Sequence, residues 1–167
     1  MSPTERIWAP WRMEYVEGPK QPQSGGCIFC DKPAEGPGND VDNLIVHRGQ
    51  TCFVIVNSFP YNNGHVMVVP FRHVARFDEL TAEERDELGA LTARSMEVLE
   101  SIYGPDGYNT GINMGSAAGA GIAAHIHQHI VPRWRGDTNF MPVVADTRVL
   151  PESLQGSYEK IAAAFAA

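Results

Sequence analysis

Positive charge is scarce in this sequence. Thirteen lysines and arginines stand against 20 aspartates and glutamates over 167 residues, a formal net charge of −7. That balance leaves no long-range basic field, which excludes bulk binding to nucleic acid or to an anionic membrane surface. Long apolar runs are missing too. None approaches the ~20 residues that cross a bilayer, and the opening MSPTERIWAP is polar and broken by prolines, unlike a secretory leader. Cysteine is sparse: three in all, two of them in CIFC as Cys27 and Cys30. An odd count containing a C-x-x-C pair excludes a disulfide framework and points to metal or redox use in a reducing compartment. A cytoplasmic protein is expected.

What is present suits one globular domain. Hydrophobic residues make up 43% of the chain, and a chain of roughly 150 residues hides about 70% of its unfolded surface. We read residues 1–167 as a single domain with an N-terminal arm over 1–26 and a C-terminal tail over 135–167. The arm carries Trp8, Trp11 and Tyr15, rings that need cover; it either packs on its own domain or completes an interface or a site. EGPKQPQSGG and DKPAEGPGND read as loops around CIFC. NLIVHRG and TCFVIVN predict a hairpin turning at Arg48–Gln50, SFPYNNG a turn, HVMVVP a strand ended by Pro70, and YNTGINM another strand. LTAEERDELGALTARSMEVLESIYG predicts a long helix. Thr81 and Glu84 have capping-box spacing, Leu88, Leu91, Met96, Leu99 and Ile102 form its apolar face, and Gly104–Pro105 stop it. Its acidic run reads as a solvated face whose first-turn charges complement the helix dipole. PESLQGSYEKIAAAFAA predicts a terminal helix starting near Ser153. The order implies an α+β fold: an antiparallel sheet with one long helix and a C-terminal helix packed on one face.

HIHQHIVPRW places three of the six histidines at alternate positions, His125, His127 and His129. On a strand such residues share one face, roughly 6.6 Å apart along the chain, while Ile126 and Ile130 turn to the other side with Gln128 as a polar exception. A row of imidazoles can supply a nucleophile, a proton carrier or a metal ligand. Mutual repulsion of like charges keeps at least one neutral. The preceding NMGSAAGAGI is a small-residue loop whose backbone N–H groups can approach an anion.

His125-Ile-His127-Gln-His129-Ile-Val resembles the His-φ-His-φ-His-φ-φ signature of the histidine triad family, with Gln128 departing from the apolar pattern at one φ position. VNSFPYNNGHVMVVPFRHV resembles that family's nucleotide-binding strands. WAPWR, CIFC and GDTNFMPV resemble its bacterial branch that acts on diadenosine polyphosphates. The resemblance implies an antiparallel sheet, a homodimer that joins two sheets, and attack on a nucleotide α-phosphate by the middle histidine. That makes His127 the nucleophile and His129 the group contacting the α-phosphate. Asn57 would hold the ribose hydroxyls and Asn113 the reacting phosphate. Backbone groups of Gly119, Ala120 and Gly121 would face the phosphates, and Trp134 would wall the cleft. Family members often carry Gln, Ser or Thr just before the triad; here that stretch is Gly119-Ala120-Gly121-Ile122, which leaves the bridging oxygen to backbone N–H or water. Phosphate, as acceptor, would give ADP and ATP from diadenosine tetraphosphate. Hydrolysis of dinucleoside polyphosphates or nucleoside phosphoramidates is the alternative, and a nucleotide-binding regulatory protein is the alternative of another class. No acidic magnesium motif is present, in keeping with catalysis that needs no metal.

The same resemblance implies a structural zinc on Cys27, Cys30, His73 and His125, against the alternative of a reduced, metal-free thiol pair. Cys52, in the apolar run TCFVIV, reads as a buried thiol. His65 is expected to be structural and His47 to lie on the surface.

Overall fold

β1 (Ile45–Arg48) and β2 (Cys52–Val56) form the expected hairpin, pairing antiparallel from Ile45↔Ile55 to Arg48↔Phe53 with an irregularity between Ile45 and His47. The computed structural model describes residues 26–137 and 150–167, which belong to one compact unit. The expectations placed on Trp8, Trp11, Tyr15 and most of GDTNFMPV lie outside the described residues. β3 (Val66–Pro70) pairs with β2, β5 (Gln128–Arg133) with β3, and β4 (Gly107–Ile112) with β5, all antiparallel, giving the order β1-β2-β3-β5-β4. α1 (Ile28–Ala34) and the one-turn α2 (Asp40–Asn43) precede the sheet. α3 (Ala82–Tyr103) falls between β3 and β4, and α4 (Leu154–Ala166) ends the chain.

Each sheet face has its own apolar cluster, which is why β2 and β3 read as unbroken hydrophobic runs. Val54, Val56, Val66, Val68, Ile126 and Ile130 pack towards Leu88, Leu91 and Leu99 of α3 and Ile161 of α4. The alternate residues Phe53, Ile55, Met67 and Val69 face the other way and meet Phe29 of α1. The two long helices thus share one face, as expected, while α1 lies on the opposite one. That opposite face continues across β5 as the side that carries His129, paired with Met67.

Several readings are corrected. AHIHQHIVPRW is not one strand: β5 begins at Gln128, and His125 and His127 lie on the extended approach to it. The ladder from β3 stops at Val68↔Gln128. Beyond it Pro70 has no N–H to donate, and the Ile126 N–H goes instead to the Val74 carbonyl at 2.7 Å. DKPAEGPGND is helical at its start, because the Cys27 carbonyl accepts from both the Cys30 and Asp31 N–H groups at 2.8 Å. Burial of Phe29 and Pro33 outweighs the turn-forming composition. His47 is half-buried, stacked on Phe165 at 5.1 Å.

The long helix starts and stops as its sequence dictates, with a Thr81/Glu84 capping box and a left-handed Gly104. Its acidic run, however, is not simply a solvated face. Glu84, only 5% exposed, takes two hydrogen bonds from Arg72 at 2.8 and 2.6 Å. Glu87 accepts from the backbone N–H groups of Gln50, Thr51 and Cys52, closing the β1–β2 turn. On the described residues no helix is long and apolar enough to cross a membrane.

Gly64, at φ 72° two residues before β3 begins, has a conformation that L side chains rarely adopt, and a Cβ there would lie 3.0 Å from both Leu99 and Tyr103. Gly64→Ala should lower stability by about 1–3 kcal/mol through strain and overpacking. An unchanged urea midpoint would contradict this account.

Candidate active site

Three imidazoles converge on the α1 face, and each has one ring nitrogen committed to a neighbour. His127, 4% exposed, places Nδ1 2.8 Å from its row-mate's carbonyl oxygen, that of His125. A carbonyl only accepts, so Nδ1 carries the proton and Nε2 keeps a free lone pair. His125, fully buried, places Nε2 2.8 Å from the Pro70 carbonyl, so its lone pair sits on Nδ1. His129 Nδ1 lies 3.0 Å from His65 Nε2, while His65 Nδ1 accepts the Tyr61 backbone N–H at 3.1 Å. Neutral His65 therefore carries its proton on Nε2 and donates it to His129 Nδ1, which leaves His129 as an Nε2–H donor. Backbone groups at the ends of these contacts set all four tautomers.

Burial keeps the rings neutral, because taking an imidazolium out of water is costly. Burial, reinforced by His127, pushes His129 down to about 4. Burial, with His129 and His127 nearby, pushes His65 to about 3. His127 is lowered by burial, against the opposing effect of the His125 carbonyl. The expectation of a neutral imidazole in the row thus extends to these neighbours. His127 and His129 stand edge to face with ring centroids 4.9 Å apart.

Asn57 extends the same face from the end of β2; its Nδ2 lies 3.4 Å from each His65 ring nitrogen, and its Oδ1 accepts the Phe59 N–H at 2.9 Å. Asn113 follows β4 one residue past the Ile112↔Gln128 pair, just as His127 precedes Gln128 on the neighbouring segment. The Gly119–Gly121 loop is already partly committed: the Gly119 N–H bonds Ser116 O at 3.0 Å and the Ala120 N–H bonds Gly115 O at 3.3 Å. Of the three N–H groups, only that of Gly121 has no partner among the described residues. Trp134 stands apart from the row, edge-on to Tyr103 of α3 at 6.5 Å. Three residues join the site beyond those expected there. His65, expected to be structural, acts in that way by holding His129. Tyr61 stacks on His65 at 4.9 Å. Phe29 packs on His125 and His127. The available signal for His65 was its alternation with Met67 in β3, useful only once Met67 is known to pair with His129.

Beside the row, Cys27, Cys30, His73 and His125 bring one ligand atom each to within 4.8 Å of one another. Cys27 Sγ and Cys30 Sγ lie 3.3 and 3.5 Å from His125 Nδ1, and Cys30 Sγ lies 3.3 Å from His73 Nδ1. A tetrahedral zinc with bonds of about 2.3 Å to sulfur and 2.0 Å to nitrogen has S···N edges of about 3.5 Å, so the donor set and its spacing fit. The Pro70 carbonyl fits as well, since it holds the His125 proton on Nε2 and turns the Nδ1 lone pair towards the cluster. Burial, with the Cys27 thiol and Asp31 nearby, pushes the Cys30 thiol up to about 11; a coordinated cation reverses such a shift.

A model of the HIT domain matches residues 39–136. A Mycobacterium tuberculosis protein named AP-4-A phosphorylase is 37% identical over 165 residues, 97% of this chain and 85% of that one. An asymmetrical bis(5'-nucleosyl)-tetraphosphatase of Schizosaccharomyces pombe is 33% identical over 97 residues, 58% of this chain and 53% of that one. Among solved structures, a zinc-bound histidine triad family protein from Mycobacterium smegmatis aligns with TM-score 0.66 at 26% identity, covering 84% of this chain and 94% of that one. The HIT match begins after Cys27 and Cys30, whereas the M. tuberculosis similarity runs over nearly the whole chain.

The depressed histidines make stability pH-dependent. His65 and His129 have folded values of about 3 and about 4, against roughly 6.5 when unfolded. Their contribution is complete above the unfolded value and is lost as pH falls from there towards the folded values, because the unfolded chain binds protons first. At pH 5 each such histidine should cost about 2 kcal/mol relative to pH 7. Urea unfolding across this window should show that fall, with a shallower slope in His65→Gln. An equal slope in the variant would contradict the assignment.

Proposed function

This chain belongs to the histidine triad family, and from that premise we propose that it transfers a nucleotidyl group from a dinucleoside polyphosphate through His127. Diadenosine tetraphosphate is the substrate and phosphate the acceptor. The observation that carries the reading is the His127 Nδ1–H···O=C bond to His125, which frees Nε2 as a neutral nucleophile. The similarity to the AP-4-A phosphorylase supports the choice of substrate and acceptor.

In the first half-reaction His127 Nε2 attacks the α-phosphorus. A P–N bond forms, the P–O bond to the bridging oxygen breaks, and ATP departs with that electron pair. In the second, a phosphate oxygen attacks the same phosphorus, the P–N bond breaks, and ADP leaves with His127 restored. Two displacements at an imidazole replace one difficult step. The His125 carbonyl steadies the ring while its Nε2 is substituted. His129, held as an Nε2–H donor by His65, neutralises charge on the transferring phosphoryl oxygens, with the Asn113 amide and the Gly121 N–H beside it. Asn57 holds the ribose. Hydrolysis, giving AMP and ATP, is the second reading, favoured by the similarity to the tetraphosphatase.

Cys27, Cys30, His73 and His125 would hold a zinc ion in this reading. With four protein ligands such an ion would serve as a structural cross-link between α1 and the segments around His73 and His125. A homodimer suits the open edge at β4, whose outer side has no pairing strand among the described residues.

His127→Ala should lower turnover of diadenosine tetraphosphate by about four orders of magnitude or more, with nucleotide affinity nearly unchanged; retained turnover would sink the covalent route. Resolving products with and without phosphate separates the acceptors. ADP plus ATP only with phosphate identifies a phosphorylase, and AMP plus ATP without it a hydrolase. Cys27→Ser should lose bound zinc by elemental analysis and unfold at lower temperature; full metal content would refute the four-ligand site.

A further inference from the structure

Phe29 lies inside the C-x-x-C turn, between two residues of the cysteine–histidine cluster, and is 2% exposed. Its ring meets His125 edge-on, with centroids 5.5 Å apart at 74°, and meets His127 at 5.0 Å and 47°. Among the described residues it is the one ring other than a histidine that touches either. The hydrogen bond from His127 Nδ1 to the His125 carbonyl fixes one atom of the imidazole. It does not by itself fix the plane of the ring. The plane is set by the rings packed against it: Phe29, at 5.0 Å and 47°, and His129, at 4.9 Å and 76°.

Two of these three restraints belong to the cluster. Phe29 is tied to Cys27 and Cys30 through the backbone of α1, whose first turn hangs from the Cys27 carbonyl. The accepting carbonyl is that of His125, itself a cluster residue. Drawing the four ligand atoms together therefore also draws a phenyl ring and a carbonyl oxygen onto His127.

We infer that Phe29 is a positioning residue for His127, and that through it and the His125 carbonyl the occupancy of the metal cluster sets the orientation of the His127 ring. Its catalytic consequence rests on the reading of His127 as nucleophile; the structural coupling does not. Phosphoryl transfer depends on in-line approach, and a misplacement of about 1 Å costs on the order of 100-fold in rate.

The test uses the zinc-loaded full chain at one fixed pH. Phe29→Leu is the working variant because it keeps an apolar group in the buried position and so preserves folding; Phe29→Ala is its more severe companion. The first readout is the NMR shift of the His127 Hε1 proton, which the nearby Phe29 ring displaces by ring current. Replacement of Phe29 and chelation of zinc from the wild type should both move it, and chelation should move it less in Phe29→Leu, where only the His125 carbonyl still links the ring to the cluster; an equal displacement in the variant would overturn the part assigned to Phe29. A resonance that stays in place when zinc is removed overturns the coupling. The second readout separates rate from binding. Phe29→Leu should keep one zinc per chain and AMP affinity within threefold, while kcat falls roughly tenfold or more. Unchanged kcat, or a loss confined to AMP affinity, overturns the positioning role. Wild-type protein that turns over no dinucleoside polyphosphate would defeat the functional reading alone, since the NMR comparison stands without it.

Discussion

Two hydrogen bonds hold together the parts on which the site depends. The Pro70 carbonyl accepts His125 Nε2–H, and the Val74 carbonyl accepts the Ile126 N–H. Both join the segment leaving β3 to the segment approaching β5, where the regular ladder has already ended. Without that crossing His73 would not meet His125, the cluster could not close, and the carbonyl that orients His127 would have no fixed place. Proline contributes by subtraction: its missing N–H ends the ladder, and its carbonyl is left for an imidazole.

The sheet divides labour between its faces. One is covered by α3 and α4 and packed with valine, leucine and isoleucine. The other is apolar under α1 but turns into histidine and asparagine as it crosses from β3 towards β5 and β4. Strand alternation makes this possible, since Ile126 and Ile130 can anchor the segment in the helix-side core while the intervening histidines face the other way. The rigidity of that core is what holds the imidazoles at contact distance.

Electrostatics follows from the same placement. The chain is acidic overall, yet among the described residues no carboxylate is a direct partner of the four rings at the site. Imidazoles contact one another, carbonyl oxygens and thiols. Burial without an anionic partner lowers their proton affinity, so they remain neutral where a carboxylate neighbour would have charged them. The charged groups work elsewhere, as with Glu84 on Arg72 and Glu87 on the β1–β2 turn. A neutral lone pair on His127 is thus a product of its surroundings.

Local pattern determined a good deal about this protein. Period-two histidines, the Thr81/Glu84 box with the Gly104 stop, and the valine-rich runs are short-range signals, and they were enough for the helix limits, the antiparallel sheet and the family. They could not determine which rings touch, because contact between residues far apart in the chain depends on register. Met67 opposite His129 brings His65 against the triad, and nothing in NNGHV announces it. The helix within CIFCDKPA was hidden because burial of Phe29 and Pro33 overrides a loop-like composition. The tautomers were hidden as well: each follows from a carbonyl or N–H supplied by a backbone group, and backbone groups are the same in every sequence until the tertiary structure aims them.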